Sequence, residues 1–308
     1  MPDSGLVLVV RDASYGSAVM RGLQQAQTLN ECGIPTRLLS VESDRSSLLS
    51  LRDSTVVLVK YAVVENELVL ALSVGGNRLI WDVVDYLAHK PPIDEALSPA
   101  EHLRSLAASD CVHDFLVMTR ATEPILTDAF PEIASIHHVD HQVDRALIQL
   151  PAIEPPTSFG LAYLGAPENV PDWVPELEDL HRLLTSERQF SDLIDRAREI
   201  PFHVDFRNPA RDRRDLKPWT KVATAVRLGA AVIAESTEAN RTALGHDYPL
   251  FFDGTRLGFN EAVERARQIW NEGRWPELRR SLDRLNHEAD PHVVAARLAE
   301  ALGATAAH

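Results

Sequence analysis

The sequence predicts an α/β protein in which two doubly wound domains stand in tandem, followed by a helical tail. In both halves of the 308-residue chain, short apolar runs alternate with helical stretches, which is typical of a parallel sheet covered by helices on both faces. A stretch with three prolines, "LPAIEPPTS", separates the two halves. Because of the alternation, each half is interpreted as a Rossmann-like domain. The chain from Gly258 onward is charged and has a helical pattern, which predicts the tail.

The first domain is assigned to residues 1–150. Its strands are predicted from short, buried-type apolar runs and its helices from the longer amphipathic stretches between them. The predicted strands are Leu6–Arg11, Thr36–Val41, Thr55–Tyr61, Arg78–Val83, His113–Thr119 and Ala134–Val139. The predicted helices are Ser17–Glu31, Ser98–Ser109 and Thr122–Ala129.

Residues 151–158 are predicted to be a linker, because proline suits a hinge and is excluded from a central strand. The alternation restarts in a second domain, residues 159–257, and residues 258–308 form the helical tail. The predicted strands of the second domain are Phe159–Leu164, Phe202–Phe206, Ala231–Ala234 and Pro249–Phe252. Its predicted helices are Trp173–Leu184 and Pro218–Leu228.

The composition limits the classes of function. The net charge of −14 argues against nucleic acid as the main partner, because phosphate backbones are held by clustered lysines and arginines. Cys32 and Cys111 provide no disulfide framework and fit a reducing compartment. The start lacks a signal-peptide pattern, and no run reaches the roughly 18 apolar residues of a spanning helix. We expect a cytoplasmic protein without a transmembrane segment, and docking on a membrane surface stays open.

The segment "DLKPWTK", residues 215–221, predicts an anion-binding site. Pro218 suits the first position of a helix, where an amide hydrogen would have no partner in any case. The free amides that follow would point outward with Lys217, Thr220 and Lys221, which favours a phosphate or diphosphate. The alternative is that both lysines are solvated surface residues. We favour the anion site because the pattern precedes a buried strand.

Further polar groups follow the strands of the second half. Arg207 comes directly after a predicted strand and could share the anion, because ligand-binding groups in open α/β sheets lie beyond the carboxyl ends of strands. Ser236, Thr237 and Glu238 follow Ala231–Ala234. Capping of the next helix is sufficient to explain them, and the functional alternative is a contact with ribose hydroxyls or a sugar. A solvated, mobile loop is expected for Arg211, Arg213 and Arg214.

Two places in the first half can serve a ligand. Gly16 allows the backbone to approach a ligand at a helix start, and Ser17 is a candidate cap, although the dinucleotide fingerprint GxGxxG is missing. Asp82 ends a buried strand and Asp85 lies just beyond it. Either carboxylate could act as a general base or bind a hydroxyl, and capping of the following segment is equally consistent.

The densest polar cluster, "SIHHVDHQVD", contains His137, His138, Asp140, His141 and Asp144. Imidazole and carboxylate groups are common metal ligands, but the spacing matches no standard zinc pattern such as HExxH. We therefore expect no metal site. A histidine that acts as acid or base, or that holds an acceptor, fits better. The candidate catalytic residues are Asp82, His138 and Asp140.

Several segments resemble the GT-B glycosyltransferases, nucleotide-sugar enzymes whose active site lies in the cleft between two Rossmann-like domains. "FGLAYLGAPENVP" looks like the start of their donor-binding domain, and "KPWTKVATAVRLGAAVIAES" is similar to their donor-site helix and strand. "LIWDVVDYL" resembles a segment of their first domains. The charged tail resembles their C-terminal helices, which implies that residues 258–308 pack partly back on the first domain.

The resemblance implies a metal-independent, hexosyltransferase-like enzyme that uses a nucleotide-diphosphate sugar as substrate, needs no cofactor, and binds its acceptor in the first domain. Cations near the donor would stabilise the charge that the leaving diphosphate gains as the glycosidic bond breaks. The implied diphosphate-binding residues are Lys217, Thr220, Lys221 and Arg207. The implied nucleoside- or sugar-binding residues are Ser236, Thr237 and Glu238, and the implied cleft-loop residues are Gly16 and Ser17.

Two alternatives stay open. One is a catalytically silent GT-B-like protein that binds a nucleotide and acts as an accessory subunit. The other is a nucleotide-sugar epimerase, since the same fold hosts such enzymes. The sequence leaves open the donor sugar, the acceptor, the stereochemical outcome and the oligomeric state, including a homodimer.

Overall fold

The computed structural model divides into two compact units. The first unit comprises Met1–Arg145, Leu216–Pro218 and Asp290–His308, and the second comprises Ala146–Asp215 and Trp219–Ala289. The structure describes residues 5–12, 16–88, 97–106, 111–112, 114–132, 135–151, 155–174, 177, 180–185 and 190–304.

The first unit contains a six-stranded parallel sheet with the order β2-β1-β3-β4-β5-β6. Its strands are β1 (Leu6–Val10), β2 (Thr36–Ser40), β3 (Thr55–Val59), β4 (Arg78–Val84), β5 (Asp114–Val117) and β6 (Ser135–His138). The strand order reverses between β1 and β3, so the connections leave these two strands in opposite directions. Such a reversal opens a crevice at the carboxyl ends of the two strands.

Helices cover both faces of this sheet. A π-helical segment, Ala18–Gln24, continues as α1 (Gln25–Glu31). The next helices are α2 (Arg45–Leu49), α3 (Asn66–Val74), α4 (Pro99–Arg104) and α5 (Glu123–Ala129). Buried leucines of α2 to α5 pack on one face, and α1 packs on the other together with the last helix of the chain, Pro291–Leu302. Burial of both faces explains why the strands are almost wholly apolar.

The second unit contains a five-stranded parallel sheet with the order β11-β10-β9-β7-β8. Its strands are β7 (Leu161–Gly165), β8 (Leu180–Leu184), β9 (Phe202–Asp205), β10 (Ala231–Glu235) and β11 (Phe251–Phe252). Its helices are α6 (Phe190–Arg198), α7 (Thr220–Arg227), α8 (Glu238–Leu244), α9 (Arg256–Asn271), α10 (Trp275–Ser281) and α11 (Arg284–Glu288). The last helix, α12, belongs to the first unit. The strand order of this sheet reverses between β7 and β9.

These two parallel sheets with flanking helices confirm the predicted α/β class with doubly wound domains. The predicted strands agree with the structure to within about two residues at each end, the usual uncertainty of element boundaries. The sequence analysis did not predict α2, α3 and α6. Some predicted positions lie outside the described residues: His113, Ala134, residues 107–109 and residues 152–154.

The predicted helix Trp173–Leu184 is wrong at its C-terminal end, because residues 180–184 form the strand β8. Leu177, Leu180, Leu183 and Leu184 recur at helical spacing, which favoured the wrong element. β8 is an edge strand with only β7 as a partner. Because β8 has exposed residues, it lacks the continuous apolar run that is typical of the central strands.

The helix predicted to begin at Pro218 begins instead at Thr220, as α7. The three residues that precede Trp219 belong to the first unit. Leu216 is buried among the apolar side chains of α2 to α5 and their sheet face. The residues that Leu216 packs against are distant in sequence, so the local pattern could not predict this contact.

Candidate functional site

Two buried carboxylates mark the carboxyl ends of the central strands in the second unit. Asp205 is the last residue of β9 and Glu235 is the last residue of β10, and they are 1 % and 2 % exposed. They lie next to the reversal of strand order between β7 and β9, where open α/β sheets bind ligands. Buried carboxylates require partners, and cations supply them here.

Lys221, in the first turn of α7, extends its ammonium group to this edge of the sheet. Nζ donates to the carbonyl of Phe206 at 2.7 Å and to the hydroxyl of Tyr163 at 3.3 Å. It lies 3.8 Å from Asp205 and 4.6 Å from the centroid of the Tyr163 ring, whose face attracts a cation. The side chain of Thr220, one residue earlier, has a buried hydroxyl without a hydrogen-bond partner among the described residues.

Two arginines complete this cluster. The Nε of Arg207 lies 3.5 Å from Asp205, and its backbone amide donates to Glu235 at 2.9 Å. Nη1 of Arg214 donates to the other oxygen of Glu235 at 3.1 Å. The Arg214 side chain packs against Gly254, because a Cβ added to this glycine would lie 1.8 Å from Nη1 of Arg214. The expectation of a wholly solvated loop is therefore wrong for Arg214.

Glu235 is the carboxylate whose ionisation is most perturbed in this cluster. Burial, followed by repulsion from Asp205, raises the pKa of Glu235 to about 7. The Arg207 amide and the Arg214 guanidinium oppose this shift because they stabilise the charged form. At neutral pH the carboxyl group is therefore partly protonated, which reduces the negative charge that faces the three cations.

The three residues after β10 contribute to the start of α8. The Thr237 side chain accepts a hydrogen bond from the backbone amide of Asn240 at 3.3 Å, which is the predicted capping role. Ser236 accepts from Arg241 at 3.0 Å, and Glu238 lies in the first turn of α8. A contact of these three side chains with a ribose or a sugar stays a prediction.

Lys217 lies in the first unit, whereas Thr220, Lys221 and Arg207 lie in the second. Its ammonium group donates to Asp85 at 2.9 Å, and Lys60 contacts the same carboxylate at 2.5 Å. Lys60 and Val84 adopt left-handed backbone conformations, with φ of 49° and 53°. The charged side chains of Lys217, Asp85 and Lys60 form a second polar region near the ends of β3 and β4.

Arg21 connects two of the predicted catalytic residues. Its guanidinium forms a buried ion pair with Asp82 at 2.8 Å and donates to the backbone carbonyl of Asp140 at 2.9 Å. The carboxylate of Asp140 is 3.3 Å from Arg297 of α12. Both aspartates are therefore engaged by arginines, and their catalytic roles stay predictions.

The histidines of the polar cluster differ in their surroundings. Nε2 of His138 donates to the carbonyl of Met118 at 3.1 Å, and the residue is otherwise exposed. His141 is buried, and its Nδ1 donates to the carbonyl of Gln142 at 2.9 Å. Burial and the nearby Arg21 lower the pKa of His141 to about 4, so its imidazole is neutral at physiological pH.

The other first-unit candidates lie at the start of the π-helical segment. Gly16 is exposed and has φ of 49°, and nothing lies within 4 Å of an added Cβ. Ser17 stands at the cap position, but its side chain makes no capping hydrogen bond. A role of Gly16 and Ser17 at a ligand stays a prediction.

Asp205, Glu235 and Tyr163 are site residues that the sequence analysis missed. A signal for the two carboxylates was present, because each ends a wholly buried strand, "FHVD" and "AVIAE". Within the described residues, no group of three or more His, Cys, Asp or Glu side chains is arranged to hold a metal ion. No helix in the described part of the chain is long and apolar enough to cross a membrane.

Comparison with solved structures defines the fold: the chain has the GT-B fold of glycosyltransferases. It is similar to Anabaena HepE in complex with UDP, with a TM-score of 0.65, 10 % identity, and coverage of 97 % of this chain and 99 % of HepE. A glycosyltransferase from Rickettsia africae has a TM-score of 0.65 at 8 % identity, with 97 % of each chain covered.

A third similar structure is the trehalose 6-phosphate synthase of Burkholderia multivorans, with a TM-score of 0.58 and 11 % identity. The alignment covers 97 % of this chain and 98 % of the synthase. No protein-family model matches the sequence, and no curated protein matches it either. The chain therefore shares its fold with these proteins, at low sequence identity.

Proposed function

We propose that the chain is a glycosyltransferase that moves a sugar from a nucleotide-diphosphate sugar to an acceptor. The observation that carries this proposal is the position of Lys221 and Arg207 beside the reversal of strand order in the second unit. Open α/β sheets bind ligands at this position, and a diphosphate requires cations there. HepE shares the fold and was solved with UDP and with UDP-glucose, which supports a nucleotide sugar as the donor.

The first turn of α7 would contribute to the same diphosphate site. The hydroxyl of Thr220 and the backbone amides at the helix start are donors that suit phosphate oxygens. Lys217 would have to exchange Asp85 for the diphosphate in order to contribute. The acceptor site is assigned to the first unit, with Asp82, His138 and Asp140 as its candidate catalytic residues.

We further propose that the transfer is metal-independent and needs no cofactor. The leaving nucleoside diphosphate gains negative charge, and Lys221, Arg207 and Arg214 provide fixed positive charge for it. Cationic side chains placed in advance can stabilise this charge as a metal ion would. Retention of activity in the presence of excess EDTA is the expected result.

Thermal shift with UDP, GDP and ADP tests the donor site. At least one of these nucleotides should raise the melting temperature, because a ligand that binds only the native state stabilises it. Lys221→Met should weaken that binding by about tenfold or more, which corresponds to roughly 1.4 kcal/mol. Arg274→Ala is the matched control, since Arg274 is an exposed cation of the same unit whose partner is Glu272. An unchanged response in both Lys221→Met and Arg207→Ala would contradict the assignment.

Mass spectrometry of a nucleotide-sugar panel then separates the alternatives. Transfer or hydrolysis of the sugar is expected for a glycosyltransferase. Conversion of the free nucleotide sugar into its epimer would identify an epimerase. Binding without turnover of any sugar in the panel would favour the accessory subunit.

A further inference from the structure

A cavity of about 410 Å³ lies in the second unit, at the C-terminal end of α7. Leu147, Leu150 and three prolines form one side of it, and Trp275 of α10 contributes to the other. Its volume falls within the range of cavities that bind small molecules. Lys221, in the first turn of α7, is six residues from Arg227 at the cavity, which is about 9 Å along the helix axis. The cavity is therefore separate from the proposed donor site.

Three arginines line this cavity, in a chain whose net charge is −14. Arg227 is fixed in place, because its guanidinium donates to the carbonyls of Leu147 and Ile148 at 3.1 and 2.7 Å. Asp283 is the carboxylate of the lining, and it pairs with Arg279. The lining therefore carries more positive than negative side chains.

One of these arginines, Arg280, offers its donors to a ligand. Arg279 is engaged within the protein: Nη2 donates to the carbonyl of Val226 at 2.9 Å, and Nη1 pairs with Asp283. Arg280 is exposed, and its side chain makes no hydrogen bond or ion pair with the described residues.

The rest of the lining is apolar and flat. Trp275 is 8 % exposed, and its indole N–H donates to the carbonyl of Pro201 at 2.9 Å, which fixes the ring. Leu150 and Pro156 of the lining are partly exposed and supply further apolar surface. A ring or short apolar chain can pack on these groups, while an anionic group meets Arg280.

We infer that this cavity is a second binding site, for a small organic anion that joins a phosphate or carboxylate to an aromatic or apolar body. The inference does not depend on the donor site, because none of the residues that carry it belongs to that site. Phenyl phosphate is a suitable probe, and phenol is its uncharged counterpart.

Titration of the ¹⁵N-labelled chain followed by the tryptophan indole signals tests the inference. The Trp275 signal is assigned among the five tryptophans by its loss in Trp275→Phe. We expect phenyl phosphate to shift it saturably in the millimolar range or below, and phenol to leave it unshifted at equal concentrations. Arg280→Ala should weaken binding of phenyl phosphate about fivefold or more, because a charge-assisted contact is lost.

Arg274→Ala is again the matched control, since it removes an exposed arginine that does not line the cavity and should leave the affinity unchanged. Arg280 makes no contact that the fold needs, so its replacement should leave the melting temperature of the chain as it was. Absence of a saturable Trp275 shift, or equal affinity in the wild type and Arg280→Ala, would overturn the inference.

Discussion

The ammonium group of Lys217 lies 2.9 Å from the carboxylate of Asp85, a residue 132 positions earlier in the chain. Together with buried Leu216, this ion pair fixes a three-residue segment in the first unit. Both partners are largely buried, with side-chain exposures of 7 % and 17 %. Removal of either partner leaves a largely buried charge without its counter-charge, which is costly.

A double-mutant cycle with Lys217→Met and Asp85→Asn measures this pair. We expect a coupling energy of about 1–2 kcal/mol in urea unfolding, because the two groups are in direct contact. Lys60 shares the carboxylate, so Asp85→Asn alone should destabilise the chain more than Lys217→Met alone. A coupling energy near zero would show that the pair does not stabilise the first unit.

Stability should depend on the ionisation of Glu235. Its pKa is raised from 4.5 to about 7, so folding favours the protonated form. The stabilisation is fully present below the unfolded pKa and is lost as the pH rises through about 7. The free energy of unfolding should therefore lose up to about 3 kcal/mol from this group between about pH 5 and pH 8.

Comparison of wild type and Glu235→Gln by urea unfolding at several pH values isolates this dependence. The variant should have a flatter profile over that range, because glutamine does not titrate. Asp253→Asn is the matched control: Asp253 is exposed, and hydrogen bonds from Thr255 lower its pKa, so it titrates in more acidic solution. Equal slopes for wild type and Glu235→Gln would contradict the raised pKa.

Gly254→Ala should disrupt the contact between Arg214 and Glu235. The added Cβ would lie 1.8 Å from Nη1 of Arg214, and φ is 86°, which disfavours residues other than glycine. We expect a loss of roughly 2–4 kcal/mol, the sum of a backbone penalty and a broken ion pair. Gly273→Ala is the control, with φ of 70° and nothing within 4 Å of the Cβ, so only the backbone penalty of about 1 kcal/mol applies.

His141 and His203 should stay neutral in mildly acidic solution. Burial is the main cause in both, and it lowers each pKa to about 4. Because each folded pKa lies below the unfolded value, the stabilisation is complete above about pH 6.5 and is lost as the pH falls toward 4. The imidazole signals of both residues in NMR spectra should not titrate between about pH 8 and pH 5. A midpoint near 6.5 for either residue would contradict its burial as a neutral group.

The central strands were predictable because each is buried on both faces and reads as a continuous apolar run, such as "LVLVV" in β1. The edge strand β8 lacks this signal, and its leucines recur at helical spacing. The start of α7 lies two residues later than predicted, at Thr220. Leu216 is held by the core of the first unit, so a tertiary contact overrides the local preference of Pro218 for a helix start.

Two cations of the candidate site, Lys221 and Arg207, were predictable from the sequence. Lys221 was chosen because it lies at a predicted helix start that precedes a buried strand. Arg207 was chosen because it follows a strand, and parallel strands bring their carboxyl ends to one edge. Asp205 and Glu235 end strands in the same way, but nothing in the local sequence shows that their counter-charges come from these cations and from Arg214. Ion-pair partners distant in sequence are set by the fold and not by neighbouring residues.

The position of α12 in the chain has a consequence for synthesis on the ribosome. Val294 and Leu298 of this helix cover the face of the first sheet that includes Leu8 and Val57. About 150 residues separate the last strand of that sheet from the helix, which takes roughly 10–30 seconds to translate at ordinary rates. During that interval α1 covers only part of this face, and the apolar remainder is a natural target for chaperones. The first unit to begin synthesis is therefore the last to be completed.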